Sequence, residues 1–130
     1  MNNPGVWPAL LYDDAEAARR FLVEVFGFTE ALVVRGDDGA TIVHAELRWP
    51  EGGGVMLGTR GHGHKGVEEP TARTQWLYVV TADPDAVYRR ALDAGATITE
   101  KPYDTDYGSH NVGIADPEGN GWTFGTYRGA

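Results

Sequence analysis

The sequence predicts an α+β fold built from two tandem βαβββ modules within a single domain, residues 1–130. Two observations carry this. First, "WPEGGGVMLGTR" (Trp49–Arg60) returns as "DPEGNGWTFGTY" (Asp116–Tyr127). With Pro50 set over Pro117, 67 residues on, six of ten columns agree. Second, each copy is preceded by a short amphipathic helix with an acidic cap, at Asp14 and Asp83, 69 residues apart. Turn, helix and order repeating together point to an internal repeat. The two-residue difference is expected to be a length change absorbed in a loop.

The elements follow in order. Module one spans 6–59: strand 6–12, helix 14–26, then strands 28–35, 40–49 and 54–59. In the helix Ala18, Phe21, Leu22, Val25 and Phe26 share one face, and Gly27 supplies the stop. Asp13 or Asp14 can cap it, and Asp13 with Glu16 has capping-box spacing. "RGDDGA" (Arg35–Ala40) reads as a hairpin turn, with Asp38-Gly39 providing positive φ. A polar, glycine-rich linker or lid covers 60–73. Module two spans 74–127: strand 74–81, helix 84–94, then strands 97–102, 109–115 and 121–127. Its helix has Asp83 as cap, Pro84 in the first turn, Val87, Ala91 and Leu92 inward and Gly95 as the stop. Each four-stranded sheet has one face under its helix. The free faces are expected to curl round a shared cleft, where a ligand would sit.

Composition narrows the function. An apolar content of 42% supports a real core. With no cysteine, disulfides and thiolate metal sites are out. A net charge of -8 argues against a nucleic-acid partner and is compatible with a cationic ligand. "MNNPGVWP" carries no basic stretch or long apolar run, and no segment is apolar for bilayer-spanning length. A cytoplasmic protein without a membrane partner is expected. Phosphate-binding glycine loops, nucleophile elbows and paired-cysteine zinc motifs do not occur.

Paired modules, "FLVEVFGF" in the first helix and "YGSHNVGIADPEGNGWTFGTY" at the end resemble the vicinal oxygen chelate superfamily, the glyoxalase, bleomycin-resistance and extradiol-dioxygenase group. In its enzymes a divalent metal sits in the cleft, held by His and Glu on the first and last strands of each half. Those positions fall here on Trp7, Met56, Trp76 and Thr123, which are poor cation donors. The resemblance is therefore to the metal-free, bleomycin-resistance type, which sequesters a drug without chemistry. It implies no metal, no cofactor and no catalytic residue. The expected partner is a small organic ligand, an aromatic or cationic antibiotic or metabolite, and the chain is expected to form a homodimer. The alternative is a glyoxalase-like lyase or extradiol-dioxygenase-like enzyme whose metal ligands moved to His44, Glu46 and His110.

Alternation assigns the faces, since i and i+2 share one side of a strand. Val55, Leu57, Trp122 and Phe124 should lie under the helices, as should Val43, Ala45, Leu47 and Trp49. Met56 and Thr123 then face the cleft, with His44, Glu46 and Arg48 as an ionisable wall and Asn111 opposite His44 in the repeat. Trp7, Trp76 and Tyr78 are candidate aromatic plates, and Tyr107 a hydroxyl donor at the rim. His62 and His64 of "GHGHK" suit a lid better than a metal site. His110 falls on the core side, as a structural histidine.

Overall fold

A computed structural model describes residues 4–61 and 75–130. The linker expected over 60–73, with His62 and His64, lies almost wholly outside the described residues. The chain divides into two compact units, Met1–Ala72 and Arg73–Ala130.

Unit 1 runs β1 (Ala9–Tyr12), α1 (Ala15–Phe21), β2 (Thr29–Arg35), β3 (Ile42–Arg48) and β4 (Gly54–Thr59). Its sheet has the order β1-β4-β3-β2, with β1 parallel to β4 and the other pairs antiparallel. Unit 2 runs β5 (Trp76–Val80), α2 (Pro84–Asp93), β6 (Thr97–Asp104), β7 (His110–Ala115) and β8 (Gly121–Gly125) in the order β5-β8-β7-β6. The repeat extends to the register. Ala9 faces Met56 in unit 1, and Tyr78 faces Thr123 in unit 2. The turns match bond for bond: Trp49 N–H to the Gly53 carbonyl (2.9 Å) and Gly52 to Trp49 (3.0 Å), then Asp116 to Asn120 (2.9 Å) and Gly119 to Asp116 (3.0 Å).

The helices show where part of the length difference lies. Asp14 and Asp83 cap them, accepting from Ala17 N (3.0 Å) and Ala86 N (3.1 Å). α1 ends in a π-helical turn over Leu22–Phe26, in which the Gly27 and Phe28 N–H groups both reach the Leu22 carbonyl at 3.1 Å. In unit 2 the equivalent bond runs from Ala96 N–H to the Ala91 carbonyl. Phe28 spans six residues where Ala96 spans five, so one of the two extra residues is wound into the helix as a π turn, not absorbed in a loop. The capping box does not form. Asp13 pairs with Arg60 at 3.0 Å, and Glu16 with Arg19 (2.6 Å) and Arg35 (3.0 Å).

α1 packs on β1, β3 and β4, and α2 on β6, β7 and β8. The covered faces are the cores: Leu10, Tyr12, Ala45, Leu47, Val55 and Leu57 under α1, and Val112, Ile114, Trp122 and Phe124 under α2, all buried. Three expectations fail here. Leu92 is 50% exposed; it lies one residue round from Ala91, so only Val87 and Ala91 reach the sheet. Val43 is half-buried while Ile42 is buried, because a register shift between Val34 and Arg35 changes which side chains face inward. The first strand starts at Ala9 rather than residue 6. Pro8 has no N–H to give, though its carbonyl still accepts from Met56 N at 2.9 Å.

Candidate functional site

The faces turned away from the helices carry the predicted site residues. In unit 1, Arg48 stands across from Gly54 and Glu46 across from Met56, with His44 two residues further along β3. The Trp7 ring stands against Gly54. A Cβ on that glycine would run into the Leu47 carbonyl oxygen and stand 2.8 Å from the Trp7 ring. The Arg48 guanidinium sits 5.2 Å from the Trp7 ring centroid, a cation–π contact that adds to the indole's packing. His44 and Glu46 bond to each other, Nε2 to Oε2 at 2.8 Å, and both side chains are partly open to solvent.

Unit 2 presents a different face on the same frame. Trp76 lies over Gly121, the counterpart of Gly54, with more room: a Cβ there would stand 3.4 Å from the indole. The Trp76 Nε1–H donates to Thr123 Oγ1 at 2.8 Å. Thr123 is buried beneath it, while Trp76 is 74% exposed. Tyr78 donates its hydroxyl to the Tyr127 carbonyl at 2.8 Å. Ser109 accepts from Tyr127 N (3.2 Å) and donates to Asn111 Oδ1 (2.5 Å), and the buried Asn111 amide donates to the Tyr103 hydroxyl at 3.4 Å. Tyr107, 60% exposed, stacks edge-on against Tyr127 with centroids 5.6 Å apart.

Both tryptophans and the β3 row thus lie on the faces that alternation assigned away from the helices. Sequence reasoning did not single out Tyr103 and Ser109, which bond to Asn111, or the exposed Leu32 and Val34 on β2. Alternation in "TEALVVR" marks Leu32 and Val34 as one exposed pair; Ser109 and Tyr103 carry no local signal, because their role arises from cross-strand bonds.

The four positions that the resemblance matches to metal ligands, Trp7, Met56, Trp76 and Thr123, carry poor cation donors. Indole offers no ring lone pair, the Met56 thioether is soft, and Thr123 Oγ1 already accepts from Trp76. Among the described residues no three His, Asp or Glu side chains converge as a cation would require. His110 stays on the α2 side, as its strand parity predicts. Its Nδ1 meets Asp104 at 2.7 Å and its Nε2 meets Asp85 at 2.8 Å. These carboxylates, Asp85 foremost, raise its pKa above the ordinary histidine value. A histidine so held is not turned to the open face, as a relocated metal site would need.

An open depression of about 360 Å³ lies elsewhere in unit 1, lined by Asp13, Asp14, Glu16, Thr41, Ile42 and Thr59 among others. It sits at the start of α1, away from the Trp7 face. The Arg19 guanidinium holds the Glu16 carboxyl below the usual range, and Asp13 is bound by Arg60, so these charges are already matched.

The relatives agree with this frame. The family model for the Glyoxalase/Bleomycin resistance protein/Dioxygenase superfamily matches residues 6–124. An uncharacterized protein of Mycobacterium tuberculosis, Rv0887c, is 34% identical over 127 residues, covering 94% of this chain and 74% of that one. Among solved structures, TioX from Micromonospora sp. ML1 superposes with a TM-score of 0.78 at 29% identity, covering 93% of this chain and 98% of TioX. A lactoylglutathione lyase from Agrobacterium tumefaciens shares the fold, with a TM-score of 0.69 at 20% identity over 94% of this chain and 93% of its own. The chain belongs to the glyoxalase/bleomycin resistance protein/dioxygenase superfamily.

Proposed function

We propose that the protein binds a small organic molecule, aromatic or cationic, on the open sheet faces, without a metal at the family's usual ligand positions. The observation that carries this reading is Trp76. A ring this exposed is normally free to turn, but here Thr123 tethers its N–H and the ring stands against Gly121, where there is no side chain. A fixed, solvent-facing indole is a stacking plate whose ordering cost is already met before a ligand arrives. Tyr78 and the Ser109–Asn111–Tyr103 hydrogen-bond chain supply polar groups beside it, and Arg48 on Trp7 supplies a second plate in unit 1. The acidic balance of the chain favours a cationic partner.

Tryptophan fluorescence titrated with planar aromatic cations and with quinones tests the reading. Saturable quenching that is lost in Trp76→Phe supports it; no quenching by either class sinks it. The enzyme reading is tested by metal analysis of protein purified without a histidine tag, where stoichiometric metal would favour it. Homodimer formation, part of the same reading, is checked by sedimentation.

A further inference from the structure

We propose that Tyr103 is the specificity-determining donor of the unit 2 face, presenting its hydroxyl proton to a carbonyl oxygen on a ligand stacked against Trp76. The inference rests on the open face being a ligand surface. It adds the polarity of the group that the ligand must carry.

The direction of the hydrogen-bond chain carries it. A backbone N–H can only donate, so the Tyr127 N–H fixes the sense at one end, and Ser109 Oγ accepts from it at 3.2 Å. Ser109 is 1% exposed, and its own proton needs an acceptor. Asn111 stands 2.5 Å from it. That distance is ordinary for O–H···O and too short for N–H···O, so the amide oxygen of Asn111 faces Ser109. Turning the amide over would leave the Ser109 proton only the Tyr78 oxygen, 3.5 Å away. The Tyr78 hydroxyl spends its own proton on the Tyr127 carbonyl. The Asn111 amide nitrogen is therefore aimed at Tyr103, whose oxygen accepts at 3.4 Å. The Tyr103 O–H proton is left over, with no acceptor among the described residues, on an exposed ring. A ligand N–H or ammonium at that end would find the phenol oxygen already engaged; a carbonyl would find a donor.

The register puts this donor within reach of the plate. Asn111 pairs with Tyr103 on one side and with Gly125 on the other, and Gly113 pairs with Thr123, to which the Trp76 indole is tied. Thr123 and Gly125 are about 7 Å apart along β8, and β7 lies about 5 Å to the side. A Cβ on Gly125 would meet Asn111 Oδ1 and the Tyr78 hydroxyl, so that corner is filled. Gly113 has no side chain, and the Thr99 hydroxyl borders it. The path from Thr123 to Asn111 thus runs over a glycine, and a molecule of two or three fused rings spans it. Unit 1 has no such relay. At the 67-residue offset Ser109, Asn111 and Tyr103 fall on Ile42, His44 and Gly36.

The test uses the full chain and a matched pair of probes, anthraquinone and anthracene each bearing one trimethylammoniomethyl group. They share size and charge and differ in the carbonyls. Midpoints of tryptophan-fluorescence titrations give the two affinities. Wild type should bind the quinone about five- to tenfold more tightly, the scale of one hydrogen bond. Tyr103→Phe keeps the ring and should erase the preference while leaving the anthracene affinity unchanged. Asn111→Asp offers Tyr103 an acceptor in place of a donor, turns its proton inward and should also erase the preference. Equal affinities in wild type overturn the proposal and leave the binding reading standing, as does a quinone preference that survives in Tyr103→Phe. Absence of quenching by both probes removes the binding reading itself.

Discussion

The turn before the last strand is bonded alike in the two units but held in place differently. In unit 1 it begins at Trp49, whose ring packs on Phe28 with centroids 4.9 Å apart. In unit 2 it begins at Asp116, buried at 5% exposure. That carboxylate accepts from the Glu118 and Asn120 backbone N–H groups (3.0 Å each), the Asn120 amide (3.0 Å) and the Trp122 indole (3.1 Å). One backbone solution therefore tolerates an apolar plug or a charge, provided that the charge is fully met by donors. The open faces repeat the lesson. A row of His44, Glu46 and Arg48 in one unit stands where Asn111, Gly113 and Ala115 stand in the other, on strands of the same order and register.

Breaking this contrast at its strongest point should have the largest effect. Asp116→Ala leaves several buried donors unmatched and is expected to cost about 3 to 5 kcal/mol, seen as a lower urea midpoint. Restoring unit 1's solution by Asp116→Trp should not rescue it, because the ring has no equivalent of Phe28 to meet. The glycines sharpen the comparison next. Gly54→Ala meets the Leu47 carbonyl and the Trp7 ring and should cost about 1 to 3 kcal/mol. Gly121→Ala, where the nearest atom is 3.4 Å away on the indole, should cost less than about 1 kcal/mol. Equal losses in thermal melts would show that the two tryptophans are seated alike. Trp76→Phe should lower stability by about 1 kcal/mol through loss of the bond to Thr123, while abolishing ligand quenching from that plate.

The smallest effect is one of pH and belongs to unit 2 alone. The raised pKa of His110 means that the folded state holds its proton more tightly than the unfolded chain. The contribution is complete below the unfolded value, about 6.5, and is lost as pH rises through the higher folded value. A neutral imidazole has one N–H and can serve only one of Asp85 and Asp104. The stability gap between wild type and His110→Gln, measured by urea denaturation, should therefore be larger at pH 6 than at pH 9. A constant gap would mean that the histidine is not charged in the fold.

Much of the frame is legible in the residues. Helix caps, glycine stops and the duplicated turn are local signals, and strand parity follows from period two. What escaped were features decided between strands. The buried position of Ile42 depends on a bulge against β2, and Leu92 shows that a helix facing a single sheet buries a narrower stripe than its apolar residues suggest. At the site, the tryptophans could be placed by counting from the caps, because β1 and β5 keep that distance. The tether from Trp76 to Thr123 could not be placed that way, since it needs the parallel register of β5 on β8. The mutual bond of His44 and Glu46 was readable as an i, i+2 pair, but not which nitrogen it engages.

The π turn at the end of α1 has a bearing on how such a molecule can change length. Removing one residue from Val23–Val25 should let the helix close with ordinary periodicity, as α2 does, while Gly27 still ends it and the strands keep their alignment. A one-residue difference between the halves is thus stored as a slack coil inside a helix, and neither half loses step with its twin.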